Sequence, residues 1–426
     1  MNSHRLLGPL TLAAVSAAAT TLFAAAYFAR RVVVPTTARR EDLAIRRVFT
    51  GEDGSLLIEL QGTQFTRAPG RYSLWFANGK GHACIGGLID EDTNAGTVTR
   101  LVERVDTGDL RVARAGIWSG YAYSKPEQLG LPFEDVTIQV DGGMAPAWRF
   151  EPVSGGPASS TWAIHIHGMG GKRAGALRGV PVASNLGLTS LVVSFRNDGE
   201  APPSNDSRYS LGQREWFDLE AAIQFAVDHG AERLVLFGWS LGGSMGLRAA
   251  DLSAHAARIS GLVLVAPVLD WTTTLTSNGS ASGLPEPVSR VGLRMLGAKA
   301  GRWVAGLEEP IDLATLDWVA RNDDLKTRTL ILHGIEDKST PVAVSERLAA
   351  CANVLAGHRS VYRWQGEIER ADETALLLKT ARDRLEALTA RIRELHPYDE
   401  PCVIALPIVG GSASFLGWIE AETRAG

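Results

Sequence analysis

Gly238-Trp239-Ser240-Leu241-Gly242-Gly243 is the stretch on which the fold of this chain turns. An apolar run, Arg233-Leu234-Val235-Leu236-Phe237, leads into it, and Ser244-Met245-Gly246-Leu247-Arg248-Ala249-Ala250 leads out of it with helical character. Strand, sharp G-x-S-x-G turn and helix is the setting that a nucleophile elbow requires. The turn packs so closely on its neighbours that side chains at Gly238 and Gly242 would clash. Ser240 is therefore expected at the carboxyl edge of a sheet, at the positive end of a helix. An ordinary β–α turn built from small residues is the plain alternative.

Working outward, strands alternate with helices from about residue 134. Asp135–Val140, Ala147–Phe150, Thr161–His167, Ser190–Phe195, the elbow strand, Gly261–Pro267 and Thr329–His333 read as strands. Ala174–Leu186 and the amphipathic Glu215–His229 read as helices. Apolar strands alternating with helices mean a mostly parallel sheet covered on both faces, an α/β fold. The interval 272–324, rich in Gly, Pro and Trp, suits a lid over the pocket. Upstream, residues 41–133 carry short alternating runs such as Ser55–Leu60, Arg71–Phe76 and Thr97–Val102, expected as a small β-rich accessory region against the mouth of the pocket. His82 and Cys84 lie close together there, but two such residues do not make a metal site.

A serine nucleophile needs an oxyanion hole, a base and an acid that orients the base. His167-Gly168-Met169-Gly170-Gly171 follows a strand and can turn backbone N–H groups toward a developing oxyanion. The amides of Met169 and Leu241 are the expected donors, with Gly168 an alternative to Met169. Asp337, in the loop after Leu332-His333-Gly334, is the expected acid, and Asp270 the runner-up. The H-G-x-G-G loop, the G-W-S-L-G-G elbow and the L-H-G-x-x-D-x-x-x-P segment resemble the α/β-hydrolase family, in its serine aminopeptidase and prolyl-oligopeptidase-like branch, over about 134–345. That resemblance implies the order Ser, acid, His, with the base on a loop after Asp337.

Only His358 and His396 follow Asp337. His358, in Ala356-Gly357-His358, is the candidate base, although it comes early for the family's helix-strand-loop interval. Around it lies a different pattern. Leu348-Ala349-Ala350-Cys351, Tyr362-Arg363-Trp364-Gln365-Gly366-Glu367-Ile368, His396-Pro397-Tyr398-Asp399-Glu400-Pro401, Ile404-Ala405-Leu406-Pro407 and Leu416-Gly417-Trp418-Ile419 resemble, in order, the CutA or divalent-cation tolerance family over about 346–420. The resemblance implies a ferredoxin-like α+β domain, trimerisation by strand exchange, and a role in metal-ion response. It also implies His396, with His333 in place of a family cysteine, as candidate ligands for copper or another divalent metal. On the residues themselves, Val354–Trp364, Thr374–Lys379 and Val403–Pro407 are extended, and Arg382–Leu395 is a helix with Leu385, Leu388, Ile392 and Leu395 on one face. The two family patterns share one strand-helix unit, Thr329–Cys351, as if spliced within it.

Leu6–Ala29 holds no charged residue and is long enough to span a bilayer. Arg30, Arg31, Arg39 and Arg40 follow it, so a single-pass anchor over 6–29 with the soluble part in the cytoplasm is expected; a signal peptide is the competing reading. The 426 residues call for more than one domain, and a net charge of −4 gives no reason to expect nucleic acid as a partner. Cys84, Cys351 and Cys402 imply neither a disulfide framework nor a metal motif. Two functions stay open at this level: a membrane-anchored serine hydrolase acting on a small ester or peptide without a cofactor, or a trimeric metal-response protein whose hydrolase half is incomplete. A non-functional chimera is the third possibility.

Overall fold

The computed structural model describes residues 7–36, 40–152, 160–334, 336–348, 352–364, 367–395, 403 and 413–423, and divides into two units, Met1–Leu348 and Ala349–Gly426.

The first unit opens with helix α1 (Leu7–Val33), followed by strands β1 (Leu43–Thr50) and β2 (Leu56–Gln61), the short helix α2 (Gln64–Arg67), and strands β3 (Tyr72–Phe76), β4 (Gly81–Asp92), β5 (Thr97–Thr107) and β6 (Ala115–Ser119). The six strands close into a barrel in the order β1-β2-β5-β4-β3-β6. Closure leaves no unpaired edge. Ile58, Leu60, Leu74, Ile85 and Val98 alternate inward and are fully buried. Arg100 is buried with them, and its guanidinium donates to the carbonyls of Thr66, Ala68, Gly70 and Gly86. His82 is enclosed as well, between Asp106 Oδ2 at 2.5 Å on Nδ1 and Ser73 Oγ at 2.7 Å on Nε2. This chain resembles a catalytic relay, but Ser73 is fully buried on a regular strand.

Next come β7 (Phe133–Val140), β8 (Gly143–Phe150), β9 (Thr161–Ile166), α3 (Val180–Asn185), β10 (Thr189–Val193), α4 (Trp216–Asp228), β11 (Arg233–Trp239), α5 (Leu241–Leu252) and β12 (Ile259–Val265). Helices α6 (Trp271–Ala281), α7 (Glu286–Gly297) and α8 (Arg302–Ala305) precede β13 (Thr329–Leu332) and α9 (Val342–Leu348). The seven strands form one sheet in the order β13-β12-β11-β9-β10-β8-β7, parallel from β10 to β13 and antiparallel at β8 and β7. The expected α/β sheet is thus present, with β13 as its edge.

Two local expectations change. Ala174–Leu186 is not one helix: a 3₁₀ segment, Arg173–Gly179, precedes α3. Pro181, which fits only the first turn of a helix, restarts it. At the N-terminus, no helix among the described residues is long and apolar enough to cross a membrane. Instead of standing free, the second half of α1 is part of this unit. Ala25, Ala29 and Val33, one turn apart, are fully buried, and Phe28 packs against the α6–α7 pair at Gly279 and Gly292. The carbonyl of Val33 accepts from Tyr209 N at 2.8 Å.

The second unit contains an antiparallel pair, β14 (Ala352–Trp364) and β15 (Glu367–Leu378), then α10 (Leu385–Leu395) and α11 (Ala413–Thr423). Ala381 N donates to Thr423 Oγ1 at 3.0 Å, fastening α11 to the start of the α10 segment. The strands and helix expected at 354–364, 374–379 and 382–395 are present, the last preceded by one 3₁₀ turn. His396, and the expected strand 403–407 beyond Val403, lie outside the described residues.

Candidate active site

The elbow forms at the carboxyl end of β11, an interior strand flanked by β9 and β12. Ser240 adopts φ 53° and ψ −113°, outside the regions open to L-residues. Its backbone is held there on two sides: Ser240 N donates to Val265 O at 3.0 Å, and Ser240 O accepts from Val268 N at 3.3 Å. The flanking glycines are required by contact. A Cβ on Gly242 would fall onto the carbonyl of Ile166, and one on Gly238 would lie 2.5 Å from Gly242 O. Leu241 begins α5, so its N–H is one of the helix-terminal donors without an intrahelical acceptor.

The second candidate donor is brought alongside. Gly168 faces Ser240 so closely that a Cβ there would lie 3.2 Å from Ser240 Cβ. Gly171 N donates to Gly168 O at 3.1 Å, closing a turn over Met169 and Gly170, with Gly170 at φ 68°. Three residues brace this turn. His167 sets Nδ1 2.9 Å from Gly168 O and Nε2 3.1 Å from Asp198 Oδ2, and stacks on Phe195. Tyr209 Oη accepts from Gly170 N at 3.3 Å and donates to Asn197 O at 2.9 Å. Tyr121, from the barrel-to-sheet connection, packs its hydroxyl against Gly171. Burial works against ionising Asp198, but hydrogen bonds from His167 and from the amides of Ala201 and Glu200 hold its carboxyl below the usual range. Burial pushes the Tyr209 phenol up to about 12, so it stays protonated.

On the far side, the loop after β13 carries Asp337. Its Oδ1 accepts from Ser339 N at 2.7 Å and Thr340 N at 3.0 Å. Burial opposes its ionisation, yet His333 and these two amides keep the carboxyl below the usual range. His333 is therefore a brace of the acid loop: Nδ1 faces Ser345 Oγ at 2.7 Å, and Nε2 faces Thr340 O at 2.8 Å with Asp337 Oδ2 at 3.6 Å. Both ring nitrogens of His333 are thus engaged within this loop; His396, the other expected metal ligand, lies outside the described residues. No group of three metal-binding side chains occurs among the described residues. Asp270, the runner-up acid, caps α6 by accepting from Thr273 N at 3.0 Å. The barrel reaches the same rim, where Gln64 Oε1 accepts from Lys338 Nζ at 3.2 Å.

The base is the missing corner. The described histidines of the first unit are hydrogen-bonded elsewhere: His82 to Ser73 and Asp106, His165 to Ser190, His167 to Asp198, His229 to Phe225 O, His255 to Gln224 and His333 to Ser345. His358 belongs to the second unit, on β14 in register with Glu373. It thus lies in a strand rather than on the loop expected of a base.

Comparison with known proteins follows this division. Residues 184–363 match the Prolyl oligopeptidase family, and 336–422 match the CutA1 divalent ion tolerance protein, so the two matches overlap within 336–363. Residues 44–119, the barrel, match a Domain of unknown function (DUF8805). Over 80 residues the chain is 45% identical to the divalent-cation tolerance protein CutA of Thermus thermophilus, covering 78% of that protein and 19% of this one. The chain belongs to the CutA family. Its CutA segment is 47% identical over 81 residues to the chloroplastic CutA of Arabidopsis thaliana, of whose length it spans 44%, and 19% of its own. For the hydrolase-like half, an esterase structure from Pyrococcus furiosus matches with 18% identity and a TM-score of 0.40, covering 53% of this chain and 80% of that one. This CutA-family chain therefore carries a serine-hydrolase-like domain ahead of its CutA domain.

Ser240, the glycine loop and the Asp337 loop, all singled out in the sequence, lie at the ends of β11, β9 and β13; Asp198 and Tyr209, which brace the glycine loop, were not. Nothing in the sequence signalled that Tyr209 would reach Gly170 across 39 positions.

Proposed function

We propose that the first unit is a serine hydrolase of ester or peptide bonds working through an acyl-enzyme. Ser240 Oγ attacks the carbonyl carbon, the amides of Leu241 and Met169 receive the oxyanion, and Asp337 orients the histidine that takes the serine proton. We assign that histidine to His358, brought in by the CutA segment in place of the family's own last loop. The observation that supports this most is the forced backbone of Ser240 with Gly168 set against it: a conformation that costs about 1–3 kcal/mol persists where the surroundings over-determine it, as at active sites. The test is labelling of the intact chain by a fluorophosphonate. Labelling lost in Ser240→Ala and strongly reduced in His358→Ala supports the assignment. Labelling unaffected by His358→Ala removes that residue from the mechanism, and no labelling at all removes the hydrolase.

A second reading rests on the engagement of Asp337 by His333: a CutA-type homotrimer in metal-ion response, with copper or another divalent ion as ligand, whose hydrolase half is retained as scaffold. A trimer by light scattering together with absent labelling would favour it.

A further inference from the structure

The buried face of α1 leaves a second face outward. Leu22, Phe23 and Tyr27 are exposed there, Phe23 to 79%, and Arg30 and Arg31 continue the same side one turn on. Helix α8 packs beside α1, with the Arg30 guanidinium over Gly306 at its end. α8 also turns apolar groups outward, Trp303 at 75% and Val304 at 43% exposure. An exposed Phe, Tyr and Trp rimmed by Arg30, Arg31 and Arg302 is the composition of a surface that sits at a lipid headgroup layer. The aromatic rings enter the interface and the guanidinium groups meet anionic headgroups. Glu308, just beyond α8, is already paired with Arg214 at 2.8 Å. The helix that bears this face starts at Leu7, and the sequence from Leu6 to Ala29 is uncharged.

The same helix leads to the nucleophile's surroundings. A cavity of about 120 Å³ lies where its last turn meets the oxyanion loop, lined by Arg31, Val32, Met169, Gly170 and Tyr209. We propose that the outward face of α1 and the helix α8 form one docking surface for an anionic lipid bilayer, and that the Ser240 site acts on lipid esters of that bilayer. The second clause rests on the hydrolase reading above; the first does not. The protein is then held on one leaflet by α1 and α8 together, with α8 at the surface. An anionic cytoplasmic leaflet suits both the arginines and the expected cytoplasmic side.

The experiment is sedimentation of the full chain with vesicles of phosphatidylcholine alone or with added phosphatidylglycerol, for the wild type and for Trp303→Ser/Val304→Ser. Trp303 and Val304 are both exposed, and circular dichroism checks that the variant keeps its fold. The proposal expects stronger binding with phosphatidylglycerol, and binding weakened about tenfold by the double substitution. Two outcomes overturn it. One is binding insensitive to both lipid charge and the α8 substitutions, which marks α1 as an independent spanning anchor. The other is no vesicle binding. Fluorophosphonate labelling in the same samples reports the hydrolase separately. A chain that binds vesicles but never labels loses the lipid-ester substrate and keeps the docking surface.

Discussion

Replacing Ser240 by glycine should make the first unit more stable while abolishing its chemistry. At φ 53° and ψ −113° an L-residue carries strain of about 1–3 kcal/mol, and glycine carries almost none. Glycine gives back about 0.5–1 kcal/mol through the greater freedom of the unfolded chain. The difference leaves Ser240→Gly roughly 1 kcal/mol more stable than Ser240→Ala, which keeps the Cβ and the strain. For a unit spanning Met1–Leu348 that is a rise of about 1–2 °C in Tm. Thermal unfolding followed by tryptophan fluorescence measures it, because Trp148, Trp162, Trp239 and Trp271 are buried in this unit. The serine hydroxyl is absent from both variants, so neither should label. A Tm for Ser240→Gly at or below that of Ser240→Ala would show that the elbow stores no strain, and the main support for a catalytic Ser240 would go with it.

Tyr209→Phe removes both hydrogen bonds of the clamp on the oxyanion loop; it should destabilise by about 1–3 kcal/mol in chemical denaturation and reduce Ser240 labelling, whereas a change in stability alone would leave Tyr209 without a role in the hole. Asp218 accepts from Arg196 at Nε (3.0 Å) and Nη2 (2.6 Å) inside the core. Asp218→Ala strands that guanidinium and should cost about 3–5 kcal/mol; a loss below 1 kcal/mol would mean that water reaches Arg196. His165 is wholly buried, and burial lowers its pKa from 6.5 to about 3. The unfolded chain therefore binds this proton below pH 6.5 while the folded chain does not. Its share of the stability is complete above that pH and is lost as pH falls toward 3, at about 1.4 kcal/mol per pH unit. Denaturation midpoints of His165→Gln between pH 7 and pH 4 should fall less steeply than those of the wild type; parallel curves would contradict the buried neutral imidazole.

What the sequence disclosed and what it withheld follow from the range of the forces involved. The elbow was legible because its constraints are local: Gly238, Ser240 and Gly242 must crowd into one turn, whatever the rest of the chain does. The parallel strands were legible because burial on both faces makes them continuously apolar. The closed barrel could not be read from its alternation, since alternation gives faces and not closure, and closure depends on β1 meeting β6 across more than sixty positions. The docked half of α1 was hidden for a different reason. An uncharged helix rich in alanine satisfies a bilayer and a protein groove equally, and only the groove formed by α7 and α8 distinguishes Ala25, Ala29 and Val33 from Phe23 and Tyr27.

The base poses the deepest form of this problem. In a nucleophile–acid–base order, each group sits at the end of a different strand, so the sheet must continue past the acid strand to deliver the histidine. Among the described residues β13 is an edge of the sheet, and the chain beyond α9 pairs β14 with β15. The overlap of the two family matches at 336–363 falls on the segment where one architecture ends and the other begins. A strand, a loop and a helix serve both folds up to Leu348, and after that the residues can satisfy only one. The CutA ladder has the stronger claim, because β14 and β15 pair through eleven register positions, whereas a histidine loop would need that same stretch unpaired. On the proposed assignment, the base His358 belongs to a strand already paired in another sheet. Substituting Glu373, its ladder partner, by Pro would break that pairing. If His358 is the base, labelling of Ser240 should change with the ladder; if labelling is indifferent to it, the first unit works without help from the second.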